Sequence, residues 1–223
     1  MTAIVSFIGW HDSGKTTLAA TVVTHLKEMG YRVAVIKSSS VTNIPFDTPD
    51  TDTFKHRQAG ADAVMLVAPD QMVLQTDNKD LSLVTLAHRY FPDVDIVIAE
   101  GFKHSRHIAK IEVTRNPEQK LRQEVHGVIA VATDLDITAD YVFRLDEGPE
   151  IAHFLEKRFL QRNKRGVEKT SLLVNGRKIP LREFIQDSLA SVVAGYVDSL
   201  KLNDDIRDIE LRIKVQYNTK TTK

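Results

Sequence analysis

Residues Gly9-Trp10-His11-Asp12-Ser13-Gly14-Lys15-Thr16 match the phosphate-loop pattern G-x-x-x-x-G-K-[ST] at every fixed position. This run constrains the fold more than any other, because the pattern works only between a strand and the helix that follows it. Two glycines let the backbone turn tightly enough for successive N–H groups to face phosphate oxygens. Lys15 brings a compact positive charge to the outer phosphates, and the Thr16 hydroxyl can join the shell of Mg²⁺. At average residue frequencies the match arises by chance in about one chain of this length in a hundred. Its context is the required one. Ile4 to Ile8 reads as a buried strand, and the next segment puts Leu18, Val22, Leu26 and Met29 on one helical face with Gly30 as terminator. A nucleoside triphosphate is the expected ligand.

The 223 residues can form one large domain, or one domain with an appendage. A 42 % hydrophobic and 27 % charged composition can bury a core. Thirty basic residues balance thirty acidic ones, which gives no sign of general nucleic-acid or acidic-membrane binding. No apolar run approaches the length of a bilayer span, and the chain enters a strand without a signal peptide. With no cysteine, disulfides, thiolate catalysis and cysteine-ligated metal sites are excluded within this chain. A soluble cytoplasmic protein is expected.

Strand-like and helix-like segments alternate from residue 2 to about 160, which predicts an α/β domain with a largely parallel sheet. Arg32 to Lys37 reads as the second strand. Residues 38 to 51, rich in Ser, Thr, Asp and Pro, read as a long mobile loop. A short helix over Asp52 to Ala59 ends at Gly60. Ala63 to Val67 and Met72 to Gln75 read as short strands around Pro69-Asp70, followed by a helix over about Leu81 to Tyr90. Ile96 to Ala99, Ile111 to Thr114, Val128 to Ala132 and Tyr141 to Leu145 complete the strands, and a helix over Pro149 to Leu160 closes the domain at about 161. Residues 162–169 read as a solvated linker. Residues 170–223 then form a small α+β unit: a hairpin about Asn175-Gly176, an amphipathic helix over Leu181 to Leu200, a strand over Ile209 to Val215 and a frayed tail.

Further residues carry chemistry. Asp95-Ile-Val-Ile-Ala-Glu100-Gly101 is an apolar strand that delivers a carboxylate to its carboxyl end, where open α/β sheets bind ligands. Glu100 there can hold a metal-linked water or polarise the attacking group. Asp47, Asp50 and Asp52 lie in or beside the long loop. Turn formation and helix capping account for them, while Asp52 equally suits completion of the Mg²⁺ shell once triphosphate orders the loop. Asp134, after a late strand, can accept the N–H groups of guanine, or is a plain strand-ending acid. His104 and His107, with Lys103 and Arg106, make a basic loop after Glu100 that suits an anionic second ligand or simply solvent. His11 lies in the phosphate loop itself.

The loop G-W-H-D-S-G-K-T-T, the strand V-A-V-I-K, the stretch Asp52 to Ala61 (D-T-F-K-H-R-Q-A-G-A), E-G-F-K (Glu100 to Lys103) and K-I-E-V-T-R (Lys110 to Arg115) occur together and in order. Over residues 1 to 160 the chain resembles the molybdopterin-guanine dinucleotide biosynthesis protein B family, a branch of the P-loop GTPases. The resemblance implies a GTP-binding, weakly GTP-hydrolysing homodimer that assists attachment of GMP to molybdopterin. Its partner would be the molybdenum cofactor guanylyltransferase that performs that step. It further implies that Gly9 to Thr17 hold the phosphates, that Lys15 and Glu100 serve the hydrolysis, and that Thr16, Asp52 and Glu100 surround Mg²⁺. Asp134 would lie near the base, and Lys103 to His107 would meet the pterin phosphate. Ser38-Ser39-Ser40 follows Lys37 where the family usually carries a histidine-rich stretch, and the unit after residue 165 lies outside the minimal family domain.

Other readings of the same loop are an adaptor that carries GTP or pterin without catalysis of its own, a metal-delivery GTPase, and a small-molecule kinase. The metal-delivery class usually displays a Cys/His cluster, and this chain has no cysteine. No arginine finger or water-positioning glutamine is evident, so intrinsic turnover is expected to be slow.

Overall fold

Ile96 to Glu100 is buried along its whole length, as befits a strand covered by helices on both faces. The computed structural model describes residues 2–78, 80–161, 170–175, 177–202, 206 and 208–213. In chain order the first elements are β1 (Ala3–Ile8), α1 (Lys15–Glu28), β2 (Val33–Lys37), α2 (Asp52–Gln58), β3 (Ala63–Val67) and β4 (Met72–Thr76). They are followed by α3 (Leu83–Tyr90), β5 (Ile96–Glu100), β6 (Ala109–Val113), α4 (Leu121–Glu124), β7 (Val128–Ala132), β8 (Val142–Phe143) and α5 (Gly148–Leu155). A single π-helical turn, Glu156–Leu160, extends α5.

Six strands form one sheet in the order β2-β5-β1-β6-β7-β8, with every neighbouring pair parallel. The alternation of side chains sorts the core into two layers. Val5, Phe7, Ile98, Ile111 and Val113 pack on one face against Leu18, Val22 and Leu26 of α1 and Ile151 and Leu155 of α5. On the other face Ala34, Val97 and Ala99 meet Ala87 and Leu83 of α3. Parallel strands put all their carboxyl ends on one edge, so the loops after β1, β2, β5, β6 and β7 gather there.

The fold class is the expected one, with local differences. α4 is an unforeseen single turn, and the late strand shrinks from Tyr141–Leu145 to Val142–Phe143. β3 and β4 pair antiparallel as a separate two-stranded ribbon. Met65, Leu66, Val67, Met72 and Val73 all stand exposed on it.

The chain divides into two compact units, Met1–Val167 with Leu173–Lys178, and Glu168–Leu172 with Ile179–Lys223. Past the parallel sheet, β9 (Leu172–Val174) and β10 (Arg177–Ile179) form a two-stranded sheet, and α6 covers Glu183–Asp198. Within the smaller unit Thr170 donates to the Gln186 carbonyl (2.9 Å) and the Gln186 side chain to the Leu181 carbonyl (3.1 Å). The expected linker 162–169, Gly176 of the turn and the tail after Tyr217 lie outside the described residues. So do Lys214 and Val215 of the expected last strand. Its residues Ile209 to Ile213 show no strand, and Ile209, Leu211 and Ile213 are exposed. Alternation alone does not make a strand without a neighbour to bond.

Lys110 is buried in β6 at 1 % exposure, without an ion pair among the described residues. Its ammonium donates to the carbonyls of Ser105 (2.7 Å), His126 (2.7 Å) and Ile108 (3.3 Å). Desolvation pushes its pKa down, but three oriented carbonyls compensate the charge. Through Ser105 and Ile108 it ties down the loop between β5 and β6. Lys110→Met is expected to cost about 1–3 kcal/mol, because one buried and two part-buried carbonyls lose their donor. Wild-type stability in urea unfolding would contradict this role. Tyr31 donates to Glu156 (2.8 Å). Burial, then the bond to Glu156 and its charge, push the phenol from 10 to about 12. The unfolded chain releases this proton first, so the contribution is full below pH 10 and is lost as pH rises toward about 12. The stability gap between wild type and Tyr31→Phe should therefore close over that range. A gap independent of pH would refute the assignment.

Candidate nucleotide-binding site

The site begins where β1 stops. A Cβ on Gly9 would lie 2.3 Å from the Val113 carbonyl oxygen and 2.6 Å from Ser13 Oγ, so no side chain fits. Gly14 has φ +91, a left-handed conformation that glycine adopts without penalty. Between them Asp12 also has positive φ (55°), and Ser13 N–H closes a turn onto the Trp10 carbonyl (3.3 Å). Gly14 caps α1 with no side-chain bond, and no acid occupies the first turn. The helix therefore presents uncompensated N–H groups, and its positive dipole end, to an anion. Ser13 Oγ is buried without a partner, which leaves a hydroxyl free for a phosphate oxygen. Lys15 folds back so that its ammonium donates to the Trp10 carbonyl (2.6 Å). Burial lowers its pKa and Lys37 adds to this, while Glu100 and Asp12 act in the opposite sense. A loop that rejects side chains, exposes amides and carries an ammonium fits a polyphosphate.

Glu100 stands at the carboxyl end of β5, paired in register with Phe7 of β1 and Lys37 of β2. Thr16 donates to Glu100 Oε1 (2.7 Å), and Lys37 Nζ donates to the same oxygen (2.9 Å) and to Thr16 Oγ1 (3.3 Å). Burial pushes the Glu100 carboxyl up. The bonds from Thr16 and Lys37, with the charges of Lys37 and Lys15, outweigh it and hold the group below its ordinary value. A hydroxyl and an ionised carboxylate are hard oxygens suited to Mg²⁺, which takes few protein ligands and keeps water and phosphate for the rest. The pair fits that ion. Among the described residues no cluster of three His, Asp or Glu forms a protein-only metal cage.

The other expected residues fall in different places. Thr17 is exposed on the first turn of α1, and its carbonyl accepts from Thr21 (3.1 Å). His11 is exposed and touches Asp12 (2.8 Å). Asp52 opens α2 at 92 % side-chain exposure with its carboxylate 3.4 Å from Lys55, so it is not joined to Thr16 and Glu100. Thr51, not an aspartate, caps that helix, and Asp47 accepts from Thr48 and Thr51 in the preceding turn. Asp134 follows β7 on the same sheet edge. Its Oδ1 accepts from Leu145 N–H (3.3 Å) and lies 3.9 Å from Arg144. Lys103 lies over the Trp10 ring (5.2 Å to the centroid), which links the loop after β5 to the phosphate loop. Ser38 and the turn Gly101 to Ser105 line a cavity of about 480 Å³.

Two further basic residues stand at the site that motif and spacing do not single out. Lys37 is one. The other is Arg115, whose guanidinium lies 3.4 Å from where a Gly14 Cβ would stand. The only available signal was position: each lies at or just past the end of a strand, on the edge that carries the phosphate loop.

Residues 4–134 match the family model described as molybdopterin guanine dinucleotide synthesis protein B, MobB. The chain is 32 % identical over 147 residues to the Escherichia coli molybdopterin-guanine dinucleotide biosynthesis adapter protein, covering 63 % of this chain and 83 % of that one. A putative adapter protein of the same description from Methanocaldococcus jannaschii is 24 % identical over 241 residues, covering 95 % of this chain and 97 % of its own. The crystal structure of a molybdopterin-guanine biosynthesis protein B superposes with a TM-score of 0.58 at 30 % identity, covering 69 % of this chain and 98 % of that one. With the family model spanning more than half of its length and the phosphate loop built as described, the chain belongs to the MobB family.

Proposed function

We propose that this protein binds Mg²⁺ and GTP at the phosphate loop and assists the guanylyltransferase that joins GMP to molybdopterin. The observation that carries the reading is the Thr16–Glu100 pair beside the open N-terminus of α1, within a chain of this family. The E. coli relative is named an adapter protein, which supports assistance of a partner as the main role. Loop amides from Gly9 to Thr17 and the Lys15 ammonium bind and orient the phosphates, with Lys15 exchanging the Trp10 carbonyl for a phosphate oxygen. Thr16 and Glu100 hold Mg²⁺, which supplies charge neutralisation across the outer phosphates. Asp52 reaches them only if the segment 38–51 rearranges. Asp134 keeps Oδ2 free for the N–H groups of guanine.

GTP hydrolysis by this chain alone is slow, because no arginine finger or water-positioning glutamine is evident in the sequence. That same observation favours the adaptor reading over a fast enzyme. Lys103 to His107, tied down through Lys110, supply cations beside the cavity for the pterin phosphate. Residues 1–161 act as the nucleotide domain, and the unit from 170 onward as a partner-docking module. The cytoplasm is the expected site of action. Among the described residues no helix is long and apolar enough to cross a membrane.

The protein acts as a homodimer through β3–β4. An isolated two-stranded ribbon is marginal in water, and this one exposes apolar side chains and unpaired edges that a second copy of itself would cover. Light scattering on Leu66→Glu is expected to give a monomer, and an unchanged mass relative to wild type would exclude this ribbon. For the nucleotide site, calorimetric titration should show preference for a non-hydrolysable GTP analogue over its adenine counterpart, with dependence on Mg²⁺. Lys15→Ala should abolish that binding, while Glu100→Gln should keep it and lose turnover. Preference for adenine, or normal turnover in either variant, would overturn the assignment.

A further inference from the structure

We propose that Lys37 is an internal counter-cation of the metal position that becomes a phosphate ligand when nucleotide binds. Its ammonium bridges the two oxygens expected to serve Mg²⁺: Glu100 Oε1 at 2.9 Å and Thr16 Oγ1 at 3.3 Å. A divalent ion coordinated by Thr16 and an ammonium hydrogen-bonded to the same hydroxyl would be two positive charges within one coordination shell. They would compete for the same two oxygens, and the Thr16 hydroxyl carries no charge to offset their repulsion. Only one can be present. Metal binding at this pair therefore expels Lys37.

The local fold says where the ammonium goes. The backbone at Lys37 stays put, because it is held in register against Glu100 and the next residue donates Ser38 N–H to the Glu100 carbonyl (2.9 Å). Ser38 also packs closely on Gly101, with its Cβ 3.1 Å from where a glycine Cβ would be. Only the side chain is free, and at 56 % exposure it has room to turn. Released from Glu100 on the edge that carries the phosphate loop, it finds its nearest strong acceptors in the outer phosphate oxygens of a bound triphosphate. Lys15 reaches the phosphates from the loop and Lys37 from the neighbouring strand. This arrangement supplies in cis a second cation at the transferring group, a position that other phosphoryl-transfer proteins fill with an arginine. It also links the nucleotide to residues 38–51, which begin directly after Lys37 and carry no regular structure as far as Thr51.

The proposal rests on the nucleotide reading above, and the test separates the two. Full-length wild type, Lys37→Met and Lys37→Arg are titrated with Mn²⁺ alone, followed by electron paramagnetic resonance of the free ion. They are then titrated with GDP and with a non-hydrolysable GTP analogue in Mg²⁺, followed by fluorescence of Trp10, the sole tryptophan. Lys37→Met is expected to bind Mn²⁺ alone more tightly than wild type, by about fivefold or more, because the competing ammonium is gone. It should bind the GTP analogue about tenfold more weakly, the value of one charge-assisted hydrogen bond, with GDP changed little. Lys37→Arg should recover triphosphate affinity. Unchanged or weaker Mn²⁺ binding by Lys37→Met overturns the counter-cation role. Unchanged preference for the triphosphate overturns the phosphate role. A wild type that binds neither nucleotide overturns the nucleotide reading itself, and the Mn²⁺ comparison still judges the counter-cation role.

Discussion

The parallel pairing of β1 between β5 and β6 is the constraint from which the site follows. On one side it brings the carboxyl end of β5, and with it Glu100, within a hydrogen bond of Thr16 at the start of α1. On the other it presses the Gly9 backbone against the Val113 carbonyl of β6, which admits no side chain at that position. The crossover helices cover both faces of the three strands, so their pairing is buried and a register slip would move every core side chain to the wrong layer. The core and the site therefore depend on the same pairing.

Charge at this edge is balanced around one carboxylate. Glu100 is almost buried, which by itself favours its neutral form. Thr16, Lys37 and Lys15 reverse that preference from the phosphate loop and from the neighbouring strand. The site thus holds a carboxylate ready for a cation, an ammonium that stands in for one, and a helix terminus ready for an anion. Such an arrangement suits a protein that binds a metal–nucleotide complex as a unit, since neither charge alone completes the balance.

Much of this was legible in the residues. The phosphate loop, the buried strand after Asp95 and the acid at its end were readable because each rests on local chemistry: glycine geometry, an apolar run and a single carboxylate. Lys37 and Arg115 were not readable in that way. A lysine at the end of V-A-V-I-K looks like any solvated strand terminus until the sheet order puts β2 beside β5. Asp52, beside the long loop, suited either a helix cap or the metal shell, and only the fold shows it apart from Thr16 and Glu100. Lys110 would pass for a surface lysine by composition, and three carbonyls from two separate loops hold it inside.

The sequence by itself determined the strand–loop–helix unit at the N-terminus, the α/β class, the two short strands about Pro69-Asp70 and the acid that ends the strand after Asp95. Each depends on neighbours only a few residues away, and backbone conformation and side-chain periodicity act over that range. The tertiary structure alone decided which strands lie next to β1, which cations surround Glu100 and which aspartates stay apart from it. Those choices depend on packing between segments about 20 to 100 residues apart, where loop entropy, burial and strand register govern and no local pattern records the outcome.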